Sequence, residues 1–203
     1  QNALLKTIEE PHENVYLILV SSSKGKLLPT LISRCFELKF QSLSESETID
    51  VLKSIDISQE IIDPIASISN GSIETAVLLS NEEVLSEVMN LCSNISSFLN
   101  NRSVFNIDFT AIRKKVDARH LIDILINIYR YNLLCMIKGE GDVLYFKDIY
   151  IKDYQMIFYL LKILLAIKMK EVYNLNIKYA FKGMLYSIYK NDFQDITKKN
   201  FFL

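Results

Sequence analysis

From Gln41 onward the apolar residues recur at three- and four-residue spacing, and serines stand where each early run begins. That pattern confines most of the chain to helices. Ser44-Glu45-Ser46-Glu47 has the form of a capping box ahead of Ile49, Val51, Leu52 and Ile55. Ser58 precedes Ile61, Ile62, Ile65 and Ile68, and Asn70-Gly71 supplies a helix-closing pair. Ser72 opens a third run with Ile73, Ala76, Val77 and Leu79. Beyond Asn81 the spacing predicts longer helices over 83–100, 108–116, 118–138, 152–170 and 174–192, some of them parted near Asn100-Asn101 and Gly139-Glu140-Gly141. Only 5 Gly and 3 Pro occur in 203 residues, a scarcity that disfavours a turn-dense β architecture. Half of the residues are hydrophobic, which supplies a core and excludes a disordered chain.

The first forty residues read differently. Ala3, Leu4, Leu5 and Ile8 share one helical face, and Pro11 stands where that helix must stop. Val15 to Val20 is a continuous apolar run of strand length, which predicts a strand covered on both faces. Ser21-Ser22-Ser23 lies at its C-terminal end, the edge at which open α/β sheets place ligand contacts. Pro29 is suited to open a short helix through Ser33, and Phe36 to Phe40 alternates like a further strand. The expectation is the tail of an α/β nucleotide-fold domain followed by helices.

Charge and cysteine usage narrow the function classes. Lys and Arg total 23 against 24 Asp and Glu, so no bulk positive field captures nucleic acid. Cys35, Cys92 and Cys135 are widely separated and form no CxxC pair, which speaks against a zinc ribbon or a disulfide framework. The most hydrophobic stretch, 154–169, is interrupted by Gln155 and Lys162 and reads as a core helix with one wetted stripe rather than a membrane span. The opening Gln1-Asn2-Ala3 resembles mid-helix sequence, which predicts a piece of a longer, cytoplasmic protein. No nucleophile–base pair, metal set or phosphate loop is visible; Lys24-Gly25-Lys26 lacks the leading Gly and closing Ser or Thr of a P-loop.

Three patterns occur in one order: Asn2-Ala3-Leu4-Leu5-Lys6 with Glu9-Glu10-Pro11; the apolar run into Ser21-Ser22, then Leu27-Leu28-Pro29-Thr30 and Ser33-Arg34-Cys35; and Asn70-Gly71-Ser72 opening a helix that carries Ala76. Together they resemble the middle of a bacterial DNA polymerase III clamp-loader subunit of the AAA+ class. The resemblance implies a mainly α chain in three parts: the C-terminal part of a RecA-like α/β domain (1–41), a three-helix lid (42–82) and an all-α collar (83–203). It also implies that Ser21 and Ser22 are sensor 1 relics. Ser33, Arg34 and Cys35 would be the SRC motif, with Arg34 an arginine finger offered to a neighbouring subunit's ATP site. Where the ATP-hydrolysing gamma/tau subunits carry a sensor 2 Arg, this chain has Glu74, whose carboxylate would repel a triphosphate.

That departure is similar to the delta-prime branch, which implies a stator with no hydrolysis of its own. It would hold no cofactor; ATP and Mg would sit on the neighbouring gamma/tau subunit. Partners would be gamma/tau and delta, with the sliding clamp and primed DNA reached through the complex and no membrane contact. Two alternatives stay open: a gamma/tau fragment with an unusual sensor 2, and a stand-alone helical protein or nucleic-acid interaction module. Individual residues also carry plainer readings. Arg34 also has the plainer reading of a surface arginine in a weak ion pair, Ser21 and Ser22 that of ordinary strand-end serines, and Cys35 that of a small buried hydrophobe. Glu9 and Glu10 read as solvated helix-end positions, and His12 and His120 as lone histidines. Arg113, Lys114, Lys115 and Arg119 form a basic cluster that suits DNA, a partner, or simply a solvated helix end. The aromatics Tyr129, Tyr131, Phe158, Tyr159, Tyr179, Phe181, Tyr186 and Tyr189 read as core or interface packing.

Overall fold

The computed structural model describes residues 2–10, 13–21, 24–55, 57–101, 112, 114–139, 149–170 and 183. The chain divides into two compact units, Gln1–Gln41 and Ser42–Leu203. Among the described residues the regular structure is helical and contains no β-strand.

The first unit contains α1 (Asn2–Glu9), a 3₁₀ turn at Lys24–Lys26 and the short α2 (Pro29–Ile32). Pro29 takes the first helical position of α2, where its missing N–H costs nothing and its fixed φ favours the helix. Leu31 is the buried residue of α2. The two expected strands are not formed. Residues 15–20 and 36–40 carry no regular structure, and their exposure alternates: Tyr16, Ile18 and Val20 are 92%, 86% and 93% exposed, against 47%, 44% and 36% for Val15, Leu17 and Leu19. Phe36 and Phe40 are also exposed. The physical reason is that a strand is a pairing state. Its N–H and C=O groups need a neighbouring chain, and among the described residues of this unit none presents one.

The second unit holds α3 (Glu45–Ser54), α4 (Gln59–Ser69), α5 (Ile73–Leu79), α6 (Glu82–Asn101), α7 (Ala118–Lys138) and α8 (Tyr154–Lys170). The Ser44 capping box forms as the sequence predicts. Glu47 N–H donates to Ser44 Oγ at 3.3 Å, and Ser44 N–H donates to Glu47 Oε2 at 2.8 Å. Ser72 Oγ accepts from Thr75 N–H at 3.2 Å and caps α5. Ser58 stands at the N-cap of α4 but makes no side-chain cap bond. Pro64, past the first turn of α4, removes one N–H···O bond, yet the helix continues because Ile62, Ile65 and Ile68 are fully buried around it. Each such side chain contributes roughly 1.5–3 kcal/mol of transfer free energy, enough to carry the defect.

One continuous core joins α3 to α8, with Val88, Cys92 and Ile95 of α6, Leu125, Ile128 and Tyr129 of α7, and Leu160, Leu164 and Ile167 of α8. Polar groups tie the segment at 149–152 to it. Ser96 Oγ and Asn132 Nδ2 both donate to the Ile149 carbonyl, at 2.7 and 3.1 Å, and so occupy its two lone pairs. Asn100 donates to the Tyr150 carbonyl and accepts from Lys152 N–H, as a strand neighbour would. Burial pushes the Cys92 thiol up to about 12 and Tyr129 well above its usual range, so both stay neutral. Tyr129 Oη–H donates to the Cys92 carbonyl at 3.2 Å. On α8 the wetted stripe includes Tyr154, Phe158 and Lys162, with the Lys162 ammonium 4.6 Å from the Phe158 ring centre. No helix among the described residues is long and apolar enough to cross a membrane. The expected helices at 108–116 and 174–192 fall largely outside the described residues, as do Tyr179, Phe181, Tyr186 and Tyr189.

Candidate functional site around Arg34

Arg34 follows directly on α2, whose four residues end at the C-cap Ser33. The last carbonyls of a helix have no intrahelical donor, and a cation is favoured beside them. Arg34 uses this local chemistry: its Nη1–H donates to the Thr30 carbonyl at 3.0 Å and makes a longer contact of 3.5 Å to Ser33 Oγ. Ser33 Oγ–H itself donates to the same carbonyl at 3.1 Å. The second nitrogen, Nη2, lies 2.7 Å from Glu9 Oε1. Glu9 is the last residue of α1, where a carboxylate faces the negative end of the helix and gains most from a cation. The guanidinium is therefore held from two sides, while the Arg34 side chain keeps 39% of its exposure.

Cys35 corrects an expectation. It is exposed, not buried behind Arg34, because the segment that follows, with Phe36, Leu38 and Phe40 exposed, is covered by none of the described residues of this unit. Ser21 is exposed and Ser22 lies outside the described residues, as does His12. Lys24 pairs with Glu37 at 2.6 Å, and that hydrogen bond holds the Glu37 carboxyl below its usual range.

In the second unit Glu74 lies in the first turn of α5, and its Oε1 is 3.0 Å from His120 Nε2 in the first turn of α7. His120, which the sequence offers no ligand-spaced partner, thus has a carboxylate partner 46 residues away, and Glu74 is paired within the helical unit. Of the basic cluster, Arg113 lies outside the described residues. Lys115 pairs with Glu83 at 2.7 Å and holds that carboxyl down, Lys114 is exposed, and Arg119 stands in the first turn of α7, the end the helix dipole makes unfavourable for a cation.

A cleft of about 330 Å³ lies among α3, α4 and α7, lined by Glu45, Asn70, Arg130, Tyr131 and Lys138 among others. Glu45 accepts from Ser67, and Arg130 donates to Asn70. Burial, helped by the neighbouring Cys135, pushes Tyr131 up to about 12, which leaves it a neutral phenol. Among the described residues no group of three His, Cys, Asp or Glu is placed to hold a metal. The contact that sequence reasoning missed is Glu9 with Arg34. They are 25 positions apart, and nothing in spacing or periodicity links them.

Comparison with known proteins follows the same geography. Residues 1–44, which contain both Glu9 and Arg34, match the family described as DNA polymerase III, delta subunit. The DNA polymerase III subunit delta' of Bacillus subtilis is 29% identical over 154 residues, 73% of this chain and 46% of that protein. The subunit gamma of Buchnera aphidicola subsp. Acyrthosiphon pisum is 39% identical over 84 residues, 38% of this chain and 23% of that protein. The delta' subunit of Haemophilus influenzae is 40% identical over 67 residues, 32% of this chain and 20% of that protein. The chain thus spans less than half the length of these curated relatives. No solved structure gives a significant match. Along the parts that match, the chain is thus similar to the delta' and gamma subunits of DNA polymerase III.

Proposed function

We propose that the chain is a C-terminal portion of a delta-prime-type clamp-loader subunit, a stator that hydrolyses no ATP itself. On this reading residues 1–41 complete a RecA-like domain, 42–82 form the lid and 83–203 form the collar that joins gamma/tau and delta in a ring. Arg34 completes the ATP site of the adjacent gamma/tau subunit, the ring opens the sliding clamp and closes it on primed DNA, and a cytoplasmic location follows. The observation that carries the proposal is the presentation of Arg34: a part-exposed guanidinium anchored at the end of a short helix, in the segment that matches the family.

The chemistry needs an arginine. During hydrolysis water adds to the γ-phosphorus, the bond to the bridging β-phosphate oxygen breaks, and the water proton ends on the released phosphate. Charge spreads over the transferring oxygens, and a planar, permanently charged fork meets them at two points. Mg and ATP would be held by the neighbour, so this chain contributes only that cation. Glu74 supports the non-hydrolysing role, since a carboxylate bonded to His120 adds no positive charge for a triphosphate.

The test is Arg34→Ala in the full-length protein, assembled with gamma/tau and delta. A trans finger is worth roughly 10³–10⁵ in rate at the site it serves, so clamp- and DNA-stimulated ATPase at that site should collapse while assembly persists. Wild-type turnover would overturn the assignment. The gamma relatives favour one second reading, a gamma/tau fragment. ATP binding by the isolated full-length protein separates the two, because the delta-prime reading expects little or none.

A further inference from the structure

We infer that Glu9 is a positioning residue for Arg34, keeping the guanidinium aimed while it serves the neighbouring ATP site; this rests on the finger reading above. Arg34 has four side-chain torsions, and a free arginine would spread its charge over many orientations. Here Thr30 and Glu9 fix the plane of the fork through different nitrogens, Nη1 at 3.0 Å and Nη2 at 2.7 Å. Nη1 faces Thr30 and, at 3.5 Å, Ser33, while Nη2 carries two hydrogens and gives one to Glu9, which leaves a donor on the same rigid plane for phosphate oxygens. The carbonyl anchor comes from Arg34's own helix and is local. Glu9 comes from the end of α1 and sets the direction in which the fork leaves α2.

The placement is favourable for both partners. Glu9 at the C-terminus of α1 is opposed by the helix dipole, and the cation relieves it. An exposed pair of this kind is worth up to about 1 kcal/mol, which is about fivefold in rate. Glu9 thus tunes the finger, whereas Arg34 supplies it.

The experiment measures clamp- and DNA-stimulated ATPase of the assembled complex with E9A, E9Q, R34A and the E9A/R34A double variant, with ring content read by native mass spectrometry. E9A should lower kcat about fivefold with KM for ATP unchanged, and the loss should shrink as added salt screens the pair. E9Q, which keeps an acceptor without the charge, should fall between E9A and wild type. E9A should cost nothing further in the R34A background, since the two act as one unit. Wild-type or raised turnover in E9A, or an equal salt-independent loss with and without Arg34, would overturn the role of Glu9. If E9A fails to assemble, E9Q decides: a partial kcat loss supports the proposal and wild-type turnover sinks it. R34A at wild-type rate would overturn both readings, whereas R34A collapsed beside an unaffected E9A would remove Glu9 alone.

Discussion

At the scale of single residues, the backbone at Gly71 is as constrained as any side chain. Its φ is +77°, in the left-handed region that L residues rarely adopt, and a Cβ built there would lie 2.2 Å from the Leu43 carbonyl oxygen. Leu43 N–H also donates to the Gly71 carbonyl at 3.3 Å, so the two backbones are in direct contact. The two nearest atoms, the Leu43 oxygen and nitrogen, belong to main chain and cannot rotate away. Gly71→Ala is expected to destabilise the helical unit by roughly 2 kcal/mol or more, combining left-handed strain with the displacement of Leu43. Chemical denaturation monitored by circular dichroism checks it; an unchanged midpoint would show that the Leu43 contact is dispensable. Gly139, also at positive φ, has open space around it and pays only the strain. Asn70-Gly71 was readable as a helix closure, but the Leu43 contact was not, because it joins residues 28 positions apart.

At the scale of elements, α3 shows how far local sequence goes. The capping box is written into four consecutive residues and forms without help from the rest of the fold. Ser44→Ala should cost about 1 kcal/mol in unfolding free energy, as lost N-caps do. The bonds from Ser44 also hold the Glu47 carboxyl below its usual range. A depressed carboxyl contributes stability that is present above its unfolded pKa and lost as pH falls through the folded value. The α3 contribution is therefore complete at neutral pH and fades on acidification below about 4.5. Glu47→Gln should flatten that acid limb; an acid limb identical to wild type would remove Glu47 from it. By contrast, Val15 to Val20 and Phe36 to Phe40 carry strong strand signals that do not become strands. A helix closes its hydrogen bonds within itself, whereas a strand cannot.

At the scale of the whole molecule, assembly separates the clamp-loader reading from the stand-alone helical module. The helical unit buries Ile, Leu and Tyr through α3 to α8, and α8 still leaves Phe158, Leu165 and Met169 exposed. A delta-prime subunit is expected to enter a discrete pentamer with gamma/tau and delta in one copy. Native mass spectrometry of the full-length protein mixed with those subunits is the measurement. A folded protein that stays alone would favour the stand-alone helical module, and tight salt-sensitive DNA binding by it would strengthen that alternative.

The sequence by itself determined the helical class, the positions of most described helices, the caps of α3 and α5, and the resemblance to DNA polymerase III subunits, because helix periodicity, capping chemistry and ordered motifs are local properties of consecutive residues. Only the tertiary structure decided that Arg34 meets Glu9, that Glu74 meets His120, that Lys115 meets Glu83, and that Cys35 is exposed. Those facts depend on which helix ends come within 3 Å of each other, and no spacing along one chain encodes that distance.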